Sequence, residues 1–178
     1  MTRYFPGLLF LMLVGICAPS TTLPVSAAAD PAPCGVSSDA QQLDYWLGNW
    51  TVGSPGSPNQ GHSNVSLSLD KCLIVERWGS DTTNHQGENY LAYTSEDKTW
   101  HGLFVDNRGR VHVFEGTVTP GSAEFHGPSR DANGKTVLNR VKVVRVTVDH
   151  VEQRWDKSSD NGVSWTTELR MEYSRKRP

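Results

Sequence analysis

From residue 46 to 173 the chain consists of short runs in which apolar and polar residues alternate, separated by Gly, Pro, Asn and Asp. Val65, Leu67 and Leu69, for example, share one parity, and polar residues lie between them. Alternation with a period of two predicts strands with one buried and one solvated face. About ten such strands joined by short turns predict an all-β fold, a closed antiparallel up-and-down barrel, because closure removes exposed sheet edges.

The first 29 residues have the pattern of an export signal. Arg3 gives a positive end, an uncharged apolar run follows at 8–16, and small residues at 25–29 suit a signal peptidase. The apolar run is shorter than the roughly 20 residues of a membrane-spanning helix. We therefore expect a secreted or periplasmic protein with a signal peptide at 1–29, a flexible lead-in at 30–38 and one barrel domain at 39–178 that starts with a short helical turn.

Charge bears on the class of partner, and the cysteines bear on disulfides and metal sites. The formal net charge is −2 and no long basic run is present, so we expect neither a nucleic-acid partner nor stable membrane insertion after signal cleavage. Cys34 and Cys72 remain after cleavage and predict one disulfide in an oxidising compartment, with two separate thiols as the alternative. The spacing of Cys and His predicts no metal site.

In the run 137–148 the valines change parity. Those up to Val143 share one parity, and those from Val144 onward share the other. A β-bulge adds one residue to a strand and inverts the faces beyond it. The pattern predicts a bulge near Val143 and Val144.

Gly48-Asn49-Trp50 follows the short helical turn, and Arg175 has the same parity as Tyr173 near the chain end. This arrangement resembles lipocalins and related calycin barrels, in which an Arg of the last strand lies over the Trp of the first. The resemblance implies a cation–π contact between Arg175 and Trp50, of roughly 0.5–2 kcal/mol. The alternative is that Arg175 belongs to a frayed basic end.

Several spaced blocks form a second pattern along the chain. The blocks are Tyr45–Trp50, Cys72–Trp78, Trp100–Gly109, Ser158–Trp165 and Tyr173–Arg175. Together they resemble an exported bacterial family of lipocalin-like barrels of unknown function. The similarity implies the barrel and no particular reaction. One departure is Glu88, where a small residue is expected.

The octapeptide Ser158-x-Asp160-x-Gly162-x-Ser164-Trp165 resembles the Asp-box of sialidases and other β-propellers. A propeller needs the motif in each of roughly 4–8 blades, whereas this chain has a single copy. We predict a hairpin tip instead. Asp160 forms an Asx-turn, Gly162 takes a positive φ, and Trp165 starts the next strand and packs in the core.

Two carboxylates are candidate functional groups. Glu76 lies in the apolar strand that ends at Trp78, and Glu115 lies in a similar run. A carboxylate inside the barrel must be paired or protonated, and it can bind a ligand cation or act as a general base. The alternative for both residues is a structural ion pair.

His112 is the best candidate for a haem ligand, because it lies on a predicted strand between two valines. Nitrobindin-like barrels hold haem on one proximal His, but they carry a Gly-x-Trp-x-Gly-x-Gly block. Here Thr51-Val52-Gly53-Ser54 follows Trp50, which does not match. We therefore expect no cofactor and keep His112 as a candidate for ligand contact.

The tryptophans do not show whether the barrel interior is filled or encloses a pocket. We expect Trp50 and Trp165 in the core, whereas Trp78 and Trp100 are equally suited to the core or to a ligand pocket. The favoured function is a barrel that binds one small apolar or aromatic ligand. The alternatives are an enzyme that uses Glu76, and a filled barrel that acts as an envelope interaction protein without a ligand.

Overall fold

The computed structural model describes residues 37–177, which form a closed barrel of ten antiparallel strands. Each strand pairs with its neighbours in sequence, and the last strand pairs with the first. The predicted up-and-down barrel is confirmed. The strands are β1 (Gly48–Ser54), β2 (Ser57–Ser68), β3 (Leu73–Ser80), β4 (Gln86–Thr94), β5 (Thr99–Asp106), β6 (Val111–Thr119), β7 (Ser122–Arg130), β8 (Thr136–Thr147), β9 (His150–Ser158) and β10 (Thr166–Arg175).

The predicted signal peptide at 1–29, the lead-in up to residue 36 and Cys34 lie outside the described residues. The Cys34–Cys72 disulfide therefore stays a prediction. Among residues 37–177, no helix is long and apolar enough to cross a membrane.

Two 3₁₀ turns, Asp39–Gln41 and Asp44–Trp46, precede β1 and cover one end of the barrel. We call this end the floor and the opposite end the mouth. Because the topology is up-and-down, alternate connections lie at the same end. The mouth connections are therefore the segments 54–57, 80–86, 106–111, 130–136 and 158–166.

The floor is filled by large aromatic side chains. Trp46 and Trp50 pack edge-on against Tyr173, and all three are at most 1% exposed. Trp50 Nε1 donates to the backbone oxygen of Trp46 at 2.9 Å, which joins the 3₁₀ turn to β1. The Arg175 guanidinium carbon lies 4.2 Å from the centroid of the Trp50 ring, which is the contact that the resemblance to lipocalins implies.

The bulge predicted near Val143 and Val144 lies elsewhere. Val143 and Val144 pair in regular register with Ala123 and Ser122. The register of β8 against β9 shifts two residues later, between Arg145 and Thr147. The parity count failed because several valines here face solvent, so their apolar character does not mark the inner face. The exposed valines are Val144, Val146 and Val148.

The segment 158–165 is the tip of the β9–β10 hairpin, and Gly162 has φ +88°. Asp160 Oδ1 accepts from the Ser164 backbone N–H at 2.9 Å, which is the predicted Asx-type turn. The prediction that Trp165 packs in the core was wrong. β10 shifts register between Thr167 and Leu169, which puts Trp165 half-buried on the outer face, 4.3 Å from the Arg140 guanidinium carbon.

Candidate ligand-binding cavity

The barrel interior is hollow above the floor. A cavity of about 600 Å³ extends from the level of Glu76 and Tyr173 to the mouth connections. This volume is within the range of small-molecule sites, roughly 300–1,000 Å³. The cavity has three levels: a polar inner end, an aromatic middle and a charged mouth.

The middle level is aromatic. Trp155 on β9 has its ring 5.8 Å from that of Phe104 on β5 and 4.8 Å from that of His112 on β6, both edge-on. Trp78 on β3 completes this part of the wall. Trp155 Nε1 donates to Asn139 Oδ1 at 3.0 Å, which fixes the orientation of the ring. The wall therefore presents flat apolar faces that suit an apolar or aromatic body.

Glu76 forms the inner end and is 1% exposed. Its Oε1 accepts from Ser63 Oγ at 2.8 Å and from the Tyr173 hydroxyl at 3.0 Å, and its Oε2 accepts from Asn89 Nδ2 at 2.6 Å. Burial raises the pKa of the Glu76 carboxyl above its usual value, although the hydrogen bonds from Ser63, Asn89 and Tyr173 favour the charged form.

The Tyr173 hydroxyl has two acceptor neighbours but only one proton. It lies 3.0 Å from Glu76 Oε1 and 2.8 Å from Gln153 Oε1. A protonated Glu76 satisfies both contacts, because its O–H then donates to Tyr173 while Tyr173 donates to Gln153. This arrangement agrees with the raised pKa of Glu76. The inner end can thus present a neutral acid, an amide and a phenol to a ligand.

The mouth is ordered around Asp106, whose side chain is fully buried. Its Oδ2 lies 2.6 Å from Arg110 Nε and 3.0 Å from His85 Nε2. Burial raises the pKa of Asp106, but hydrogen bonds from the Arg110 backbone and the His85 ring outweigh it and hold the pKa well below the usual value. Asp106 is therefore ionised at neutral pH and holds Arg110 at the cavity.

The structure brings together three of the candidates named from the sequence. Glu76, Trp78 and His112 all line the cavity. Trp100 is instead buried in the core, where its ring lies 5.8 Å from that of Tyr93. Glu115 projects from the outer face with 73% of its side chain exposed, so it does not join the others.

Sequence reasoning missed most of the cavity lining. Parity along β9 would have indicated Gln153 and Trp155, which are two residues apart and share the inner face. The basic residues of the mouth could also have been grouped from the sequence, because alternate connections of an up-and-down barrel lie at the same end. The lining residues that were not anticipated include Asn89, Phe104, Arg108, Arg110, Arg130, Gln153, Trp155 and Lys157.

His112 Nδ1 is buried and has no hydrogen-bond partner among the described residues. Burial, followed by the charges of Arg110 and Lys157, lowers the pKa of His112, so the ring is neutral at pH 7. Across residues 37–177, no three His, Cys, Asp or Glu side chains are grouped as a metal site requires. The expectation that the protein carries no cofactor stays a prediction.

No protein-family model matches the chain, and a search of curated proteins returned no similar sequence.

Proposed function

We propose that this protein binds one small, mostly apolar or aromatic molecule inside its barrel. The observation that carries the proposal is the cavity of about 600 Å³ with Trp78, Phe104 and Trp155 in its wall. Binding sites for small molecules are mostly apolar and carry a few placed polar groups. Here Glu76, Asn89 and the Tyr173–Gln153 pair supply those polar groups.

A cavity of this size argues against a barrel filled by its own side chains. In a filled barrel, inward residues of ten strands interdigitate and leave few voids larger than a water molecule. That packing is present at the floor and ends at the level of Tyr173. The function without a ligand is therefore the least supported of the three.

The second candidate is an enzyme that uses Glu76, and one observation favours it. Glu76 is a buried carboxyl with a raised pKa at the end of a cavity, and this combination is frequent at catalytic sites. Its carboxyl group is held by hydrogen bonds to Ser63, Asn89 and Tyr173. The same contacts serve a binding site equally well, so binding is the simpler proposal.

We also propose that the protein belongs to the exported bacterial lipocalin-like family and acts outside the cytoplasm, in the periplasm or as a secreted protein. The motif blocks and the pattern of residues 1–29 support this. The net charge of −2 supports a small molecule over a nucleic acid as the partner.

Native mass spectrometry with an absorbance scan tests the binding proposal. The protein is purified gently from an oxidising compartment of the host and measured intact and after denaturation. We expect a mass excess that is lost on denaturation and that identifies the ligand class. A bare mass, repeated after incubation with fatty acids and aromatic compounds, contradicts the proposal. A Soret band would contradict the expectation that no haem is bound.

A further inference from the structure

The cavity mouth carries more positive than negative charge. Two of its basic side chains, Arg108 and Arg110, come from the β5–β6 connection, Arg130 ends β7, and Lys157 lies near the end of β9. In the described part of the chain, Glu168 is the one carboxylate that lines the cavity at this level. Cations from three separate hairpins thus converge on one opening, although the chain as a whole is slightly acidic.

Two of these cations are already compensated. Arg110 Nε lies 2.6 Å from Asp106 Oδ2, and Lys157 Nζ lies 2.5 Å from Glu168 Oε2. Each of these basic residues therefore has a carboxylate of its own.

The other two cations lack such a partner. Arg130 donates to the backbone oxygen of Gly134 at 2.8 Å, and within residues 37–177 neither Arg130 nor Arg108 reaches a carboxylate within salt-bridge distance. Both are exposed at the rim and line the cavity. Two guanidinium groups are thus available to an anion that enters the mouth.

The positive charge of the mouth also acts on groups inside the cavity. His112 lies one level below the mouth, and burial lowers its pKa, followed by the charges of Arg110 and Lys157. Asp106 and Glu168, the partners of those two cations, act in the opposite direction but more weakly, so the positive charge prevails. A field that disfavours a second positive charge at this depth favours a negative one.

The inner end of the cavity does not suit an anion. The Glu76 carboxyl and the Oε1 atom of Gln153 lie there, and in the described chain no basic residue lines the cavity at that level. An anion placed against Glu76 would be desolvated without a compensating charge. The two ends of the cavity therefore differ in the charge that they accept.

We infer that the ligand is an amphiphilic organic anion that binds with its charged group at Arg108 and Arg130 and its apolar body against Trp78, Phe104 and Trp155. The inference rests on the proposed binding function and names the ligand class. The neutral inner end then faces the uncharged terminus of the molecule.

Isothermal titration calorimetry with two matched pairs of probes tests the inference. One pair is naphthalene-2-carboxylate and naphthalene-2-carboxamide, and the other is decanoate and decanamide. Within each pair the apolar body is the same and only the charge differs. We expect the anion of at least one pair to bind about tenfold more tightly than its amide, a difference of about 1.4 kcal/mol. The preference should shrink as salt is raised.

The double variant Arg108→Gln/Arg130→Gln should remove the preference for the anion and leave the affinity for the amide unchanged. The control Lys98→Gln/Arg170→Gln loses the same charge at two exposed positions outside the cavity and should keep the preference.

Three outcomes separate the inference from the function on which it rests. Tighter binding of an anion that depends on Arg108 and Arg130 supports both. Equal binding of anion and amide, or a preference that survives the double variant, overturns the inference and leaves the binding function standing. If no probe of either pair binds, the proposed function fails for molecules of this size and the inference fails with it.

Discussion

The two ends of this barrel are built from the same ten strands, but one end is packed and the other encloses a cavity. At the floor, Trp46, Trp50 and Tyr173 fill the interior and exclude water. Toward the mouth, Trp78 and Trp155 stand in the wall around a cavity of about 600 Å³. Both ends contain large aromatic side chains, which pack against one another at the floor and surround a cavity toward the mouth.

The difference shows how one barrel combines stability with an open cavity. The floor has a closing element, since the 3₁₀ turns insert Leu43 and Trp46 under the strands and Arg175 covers Trp50. The mouth has only turns between strands, and charged side chains form its rim. We therefore expect the stability of the fold to depend mostly on the floor and ligand affinity to depend on the mouth.

The largest expected effect is the loss of a floor tryptophan. Trp50→Ala should lower the free energy of unfolding by about 3–5 kcal/mol, because it leaves a cavity in a fully packed site. Trp78→Ala, in the half-buried cavity wall, should lower it by less than about 2 kcal/mol. Urea unfolding of both variants makes the comparison. Equal losses would show that the two ends do not differ in packing.

Arg175→Met should have the next largest effect. The variant loses the cation–π contact with Trp50 and the hydrogen bonds from Arg175 to the backbone oxygens of Leu47, at 2.8 Å, and Val148, at 3.2 Å. We expect a loss of about 2–3 kcal/mol in the free energy of unfolding. Arg177→Met, with 85% of the side chain exposed, is the control and should change little. A similar result for both variants would argue that Arg175 does not close the floor.

Glu76→Gln tests the inner end of the cavity through pH. The pKa of Glu76 is raised on folding, so the folded protein binds the proton more tightly. Its stabilising contribution is therefore present below the pKa of the unfolded chain, 4.5, and is lost as pH rises toward the folded value. Gln cannot titrate, so the stability of the variant relative to the natural protein should rise with pH, by at most about 1.4 kcal/mol per pH unit.

Urea unfolding of Glu76→Gln between pH 4 and 8 gives this difference directly. Glu115→Gln is the matched control, because it removes a carboxyl group whose side chain is exposed on the outer face. A Glu76→Gln profile that is flat or falls with pH would show that burial does not raise the pKa of Glu76.

The smallest effect is expected at the tip of the β9–β10 hairpin. Gly162 has φ +88°, a conformation that costs an L-residue about 1 kcal/mol, and Gly162→Ala should lower the free energy of unfolding by about that amount. Val163→Ala, at a side chain that is 86% exposed, should be neutral. If Gly162→Ala were as damaging as Trp50→Ala, the mouth would contribute to stability as strongly as the floor.

The fold could be predicted from the sequence because its signals are local. Period-two alternation and frequent turn residues predict the strands, and a parity count along the last strand puts Arg175 and Tyr173 on the inner face. The count failed for Trp165 because the register shift before Leu169 depends on how two strands pair. A single strand carries no signal for such a shift.

The candidate site was less predictable, because it depends on distances across the barrel. Glu76 could be named from its apolar surroundings, but its partners come from three other strands: Ser63 from β2, Asn89 from β4 and Tyr173 from β10. A cavity is the space that side chains of many strands fail to fill, so no single run of sequence encodes it.

A pair of blocking variants tests whether the mouth half of the barrel is an open binding site. Met171 lines the cavity, and its neighbour Arg170 is exposed on the outer face. Met171→Trp and Arg170→Trp are titrated with the tightest of the four probes, after circular dichroism shows that both fold. We predict that Met171→Trp weakens binding at least tenfold and that Arg170→Trp does not. Equal affinity of the two variants would contradict the claim, because the probe would then bind outside the cavity.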